Sequence, residues 1–94
     1  MDTRRQLKTI NPIEFGLSKR TKIAVDNKNN YYVVKNIKSR IIMKDGKKIS
    51  EIAKIIKRKK NKNVLLATTA PVCSKTKKHL KEKDINIVES YVVS

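Results

Sequence analysis

Acidic residues are scarce in this chain: eight Asp and Glu face 24 Lys and Arg among 94 residues, a formal net charge of +16. In a small domain so large an excess costs stability through self-repulsion unless a polyanion answers it. Aromatic residues are scarce as well, at 4% with no Trp, which leaves little for the base-stacking platform that grips single strands. The two glycines, Gly16 and Gly46, stand far apart, so a glycine-rich phosphate loop is excluded. One cysteine, Cys73, cannot form an internal disulfide and fits a reducing compartment. With His79 as the only histidine, spacing assembles neither a zinc cluster nor a Ser–His–acid triad. No apolar run approaches the roughly 18 residues that span a bilayer. The charged N-terminus also lacks the apolar stretch of a secretory signal. The expected location is the cytoplasm or the nucleoid.

What is present is organised. Hydrophobic residues make up 38% of the chain and recur in runs, so a folded core is expected rather than a disordered basic tail. The length suits one domain with one modest core. Residues 1–9 are polar and basic and read as a flexible arm ahead of a single α/β domain over residues 10–94. Asn11 and Pro12 supply an N-cap and a first helical residue, starting a short helix that carries Ile13, Phe15 and Leu17 and is weakened by Gly16. Residues 21–25 and 31–37 read as strands around an Asp/Asn-rich turn at 26–30. Residues 39–43 read as a third strand, closed by an Asp-Gly turn at 44–47.

Ile49, Ile52, Ala53 and Ile56 then repeat at helical spacing and predict one buried stripe. The helix ends in the cations of residues 59–62, which suit its C-terminal dipole. Residues 64–67 (VLLA) form a continuous apolar run typical of a strand buried on both faces. A further helix opens near Thr69, Ala70 and Pro71, with Val72, Cys73, Thr76 and Leu80 inward; Cys73 lies among cations yet on the apolar side, the position of a packed thiol. Residues 85–88 and 91–93 supply the last strand or strands. The expected fold is α/β, a small mixed sheet in the order α-β-β-β-α-β-α-β, with the unit from residue 64 to 85 parallel.

Five parts between residues 30 and 89 carry a resemblance: Val34-Lys35, the helix over 49–60, VLLATT at 64–69, SKTKKHLKEK at 74–83 and INIVE at 85–89. In that order they resemble the core of the PD-(D/E)xK nuclease superfamily, and the Mrr-type restriction endonucleases in particular. The resemblance implies a restriction-endonuclease-like core and a metal-dependent cut. Such a cut needs an Asp at the end of one strand and (Asp/Glu)-x-Lys on the next, the carboxylates holding the cation and the Lys beside the attacking water. Asp26 and Lys35 take those places. Val33 stands where the second acid should be, and an apolar side chain cannot ligate a hard cation. Glu51 or Glu14 would then be the migrated carboxylate.

The cations carry the better functional reading. Lys47, Lys54, Lys57 and Arg58 lie away from the isoleucine stripe, Lys35, Lys38 and Arg40 precede it, and Lys75 and Lys78 project from the last helix. A surplus made mostly of Lys contacts phosphates rather than base edges. The expected activity is nucleic-acid binding, DNA before RNA, non-specific or structure-directed, with no cofactor; Mg2+ enters only in the nuclease alternative. The other alternative is a basic adaptor for an acidic protein. A homodimer is allowed for.

Overall fold

The computed structural model describes residues 4–93. Strands β1 (Arg5–Ile10), β2 (Ile23–Val25), β3 (Tyr31–Val34), β4 (Val64–Ala67), β5 (Asn86–Val88) and β6 (Tyr91–Val93) form one mixed sheet, ordered β5-β4-β3-β2-β1-β6. Only β2 runs antiparallel to its neighbours. Parallel neighbours need a crossover. Helix α1 (Met43–Lys60) provides it between β3 and β4, and α2 (Ser74–Glu82) between β4 and β5.

The isoleucine stripe does what its spacing predicts. Ile49, Ala53 and Ile56 are at most 2% exposed and pack with Val33, Leu66, Leu80 and Ile85 on one face of the sheet. Each fully buried isoleucine contributes about 1.5–3 kcal/mol. The helix stops at Asn61, which takes a left-handed φ of +52° and returns its N–H to the Lys57 carbonyl.

The opposite face is buried without any helix. Glu89 and Ser90 alone connect β5 to β6, although these strands occupy opposite edges of the sheet. Five inter-strand spacings would separate the edges by about 24 Å in a flat sheet, whereas three Cα steps from Val88 to Tyr91 reach at most about 11 Å. The sheet must therefore curl until its edges nearly meet. The Thr68 N–H bonds the Val88 carbonyl on one side and the Arg5 N–H bonds the Ser90 carbonyl on the other. Inside the curl, Leu7, Ala24, Tyr32, Val34 and Ala67 form a second core, with Leu65, Val88 and Tyr91 against it.

Several expectations are corrected. Of the expected arm, Arg5 to Thr9 belong to β1, because Leu7 is an inner-core residue at 1% exposure; residues 1–3 lie outside the described residues. The first helix is a single 3-10 turn, Pro12–Phe15, capped by the Asn11 side chain and ended by Gly16 at φ +72°. No strand forms at 39–43: Ile41 makes one bridge to Val72, and Ile42 is half exposed and precedes α1. The expected turn at 44–47 is the first turn of α1, because the Asp45 carboxylate accepts the Ile42 N–H at 3.2 Å. The strand expected over 31–37 ends at Val34, and α2 begins at Ser74 rather than near Pro71. The order along the chain is thus β-3-10-β-β-α-β-α-β-β.

The β2–β3 hairpin is locked by Asp26. One carboxylate oxygen accepts the Lys28 and Asn30 N–H groups at 2.8 and 2.9 Å. The other accepts the Asn30 amide at 3.2 Å and the Tyr32 hydroxyl at 2.8 Å. Tyr32 in turn accepts from the Arg5 guanidinium at 2.7 Å, which ties β1 to the hairpin. Burial raises the Asp26 pKa, but the bonds from Asn30, Tyr32 and Lys28 outweigh it and the net shift is downward. Burial of Tyr32, reinforced by the Asp26 charge and opposed by Arg5, pushes its hydroxyl pKa up.

Three expected outcomes follow from this packing. Ile56→Ala should lower unfolding free energy by about 2–5 kcal/mol in denaturant titration. Gly46→Ala would normally gain about 1 kcal/mol of helix propensity. Here its Cβ would lie 2.6 Å from the methyl of buried Thr76, so the variant should instead be destabilised by about 1–3 kcal/mol. For Asp26 the folded pKa lies below the unfolded value of about 3.9, so its stabilisation is present above that pH and is lost as the pH falls through the folded pKa. Asp26→Asn should be less stable near neutrality by about 1–2 kcal/mol, with the difference from the parent shrinking on acidification below about pH 4.

Candidate nucleic-acid interface

Lys35 is half-buried just beyond β3, its N–H bonded to the Ala67 carbonyl at the end of β4. This is the carboxyl end of the parallel strands, where open α/β sheets form their ligand crevices. Pairing of Ile23 with Val33, and the bond from Val34 N–H to the Lys22 carbonyl, bring the approach to β2 alongside. From above, α1 leans over with Lys48, Ile49 and Ile52. The result is a cavity of about 290 Å³, floored by Val33 and Ile49 and lined by Arg20, Lys22, Lys35 and Lys48 together with Ser18 and Thr21.

The four candidate catalytic residues do not meet here. Asp26 pairs with Asn30 at the opposite end of the hairpin, about 16 Å from the Lys35 level at ~3.3 Å per residue, and its oxygens are occupied by the turn. Residues opposite Lys35 belong to the 21–22 segment, which is cationic rather than acidic. Glu51 lines a different cavity, of about 340 Å³, with Lys54, Lys57 and Lys83. Glu14 belongs to the 3-10 turn, where its carbonyl accepts from the Lys59 ammonium at 3.1 Å near the far end of α1. Among the described residues, no three His, Cys, Asp or Glu side chains gather to hold a metal. A divalent cation of the kind the resemblance implies does not fit the residues around Lys35.

The expected binding residues separate into groups. Lys38 and Arg40 are exposed on the segment between β3 and α1, continuing outward from Lys35. Lys54 and Lys57 line the second cavity, but Lys57 is half-buried and donates to the Lys83 carbonyl at 3.0 Å, tying α1 to the end of α2. Lys47 and Arg58 are exposed on α1, and Lys75 and Lys78 on α2. Arg20, Lys22 and Lys48, which line the cavity with Lys35, are not among the cations expected from sequence. Extending the hairpin register from the Asp26–Asn30 turn finds Lys22, since it sets residues 21–22 against 34–35; Arg20 lies one position earlier.

Cys73 is the N-cap of α2 rather than a packed thiol; it is half-buried, with Sγ 2.8 Å from the Thr76 hydroxyl. Hydrogen bonds to Thr76 and the Lys75 N–H, with the charge of Arg40, hold the thiol pKa below its ordinary value. His79 Nε2 lies 3.4 Å from the Ser50 hydroxyl, which donates to the Lys47 carbonyl. No described helix is long and apolar enough to cross a membrane.

No family model and no curated protein matches the sequence. Solved structures do share the architecture. Apo EndoMS superposes with a TM-score of 0.62 and 11% identity over 92% of this chain and 37% of that one. EndoMS in a complex with double-stranded DNA gives 0.65 and 11% over 88% and 36%. A repair endonuclease from Pyrococcus abyssi gives 0.60 and 15% over 74% and 31%. The chain spans about a third of the length of each of these proteins. The fold they have in common with it is the restriction-endonuclease-like α/β fold.

Proposed function

We propose that this protein binds nucleic acid, duplex DNA before RNA, through its cationic surface and does not cut it. The observation that carries this reading is the composition of the cavity beside Lys35. Where the resemblance calls for metal-binding carboxylates there is Val33, and around it stand Arg20, Lys22, Lys35 and Lys48. A site of that kind attracts phosphate and repels a divalent cation. The excess of 24 Lys and Arg over eight Asp and Glu supports affinity that is electrostatic and largely independent of sequence. The complex of EndoMS with double-stranded DNA supports duplex DNA as the polyanion. Assignment to the Mrr-type branch, resting on Thr68 and Thr69 after β4, and residence in the cytoplasm or on the nucleoid belong to the same proposal.

Fluorescence anisotropy with a mixed-sequence duplex provides the test. The logarithm of the binding constant should fall linearly with the logarithm of salt concentration, by about 0.9 for each phosphate contacted. Lys54→Ala with Arg58→Ala should weaken binding alike on unrelated sequences and leave thermal unfolding unchanged. Absence of binding at low salt would sink the proposal. Closed circular plasmid should stay intact with magnesium or manganese, and cleavage abolished by Lys35→Ala would overturn the non-catalytic part.

A further inference from the structure

We infer that the cavity walled by residues 18–22, the end of β3 and α1 is a phosphate subsite: a phosphoryl group sits where the fold would otherwise hold its metal. This deepens the nucleic-acid reading by naming the group that the Lys35 cavity takes. Three segments far apart in sequence contribute to it, Arg20 and Lys22 before β2, Lys35 after β3 and Lys48 on α1. Four cations brought to one cavity, Lys35 half-buried and Arg20, Lys22 and Lys48 exposed, repel each other. An anion relieves it.

The cavity is also built rather than incidental. The Ser18 hydroxyl accepts the Arg20 N–H at 3.2 Å and the Ser18 carbonyl accepts the Thr21 N–H at 3.0 Å, which holds the 18–21 turn in place. The Ser18 hydroxyl proton stays available to a phosphate oxygen, the Thr21 hydroxyl lines the same space, and Arg20 offers a planar fork that suits phosphate. At about 290 Å³ the volume lies at the lower end of small-ligand pockets, enough for one phosphoryl group with part of its sugar. A backbone phosphodiester and a terminal phosphate monoester share this chemistry.

Two probes test the inference, inorganic phosphate alone and short duplexes with 5′-phosphate or 5′-hydroxyl ends. Titration with inorganic phosphate should shift the amide resonances of Thr21, Val33 and Lys35. Those shifts should vanish in Lys35→Ala/Lys48→Ala, whose melting temperature should match the parent's. The same variant should lose about two units of the salt slope for DNA, one for each cation removed. A preference for phosphorylated ends that disappears in the variant identifies a terminal monoester as the occupant. Equal weakening on both kinds of end identifies a backbone phosphate. If no amide near the cavity shifts, and Lys35→Ala/Lys48→Ala binds DNA with parental affinity and slope, the subsite is overturned while DNA binding by the α1 surface stands. If phosphate shifts occur but the parent protein binds no DNA, the subsite stands and the nucleic-acid reading falls.

Discussion

Two residues, Glu89 and Ser90, have to carry the chain from one edge of a six-stranded sheet to the other, and the rest of the molecule is arranged to make that step short enough. Curling the sheet buries its second face without a second layer of helices among the described residues. It also places Tyr32 inside the curl with its hydroxyl between Asp26 and Arg5. A buried phenol left unpaired would lose the gain from its hydrophobic ring. Here it links the hairpin turn to the strand that receives β6, so that closure and polar satisfaction come from one network.

The same network explains why the acid with the most suggestive position is not at the cavity. Asp26 follows β2, and because β2 and β3 are antiparallel, the end of one strand lies beside the start of the other. Lys35, at the end of β3, therefore faces the approach to β2, where the chain carries Arg20, Thr21 and Lys22. A carboxylate could serve beside Lys35 only from that approach, from position 33, or from α1. Those places hold cations, Val33 and the Lys48–Ile49–Ile52 edge of the helix. Fold and charge thus separate: the architecture is shared with solved endonucleases, whereas the cavity beside Lys35 is lined by cations. Such separation is ordinary, because a fold is held by its core while chemistry depends on a few side chains at its rim.

Close approach of the two helices is a second constraint on the site. Gly46 lies under Thr76, which seats the first half of α1 against α2. The cations on the two flanks of α1 consequently do different work. Lys48 opens toward Lys35, whereas Lys57 is drawn to the Lys83 carbonyl at the end of α2, so part of the positive surface serves as structural ties.

Local physics was legible in the residues themselves. The 3.6-residue spacing of Ile49, Ala53 and Ile56 located the buried side of α1, the Asp26–Asn30 turn located the hairpin, and the apolar run at 64–67 located the innermost parallel strand. The +16 charge, with Lys as its main source, defined the class of partner proposed. Tertiary structure decided the rest. β1 carries no strong alternation, and becomes a strand because Leu7 fits the inner core and β6 needs a neighbour. Ile41 and Ile42 look like a strand in sequence, but one is a single bridge and the other stands before a helix whose N-terminus Asp45 caps. The cavity joins cations some 28 positions apart, from Arg20 to Lys48, and separates Asp26 from Lys35. Periodicity reports which face of an element is buried; which elements become neighbours depends on non-local pairing and packing, for which a single stretch of residues holds no repeat.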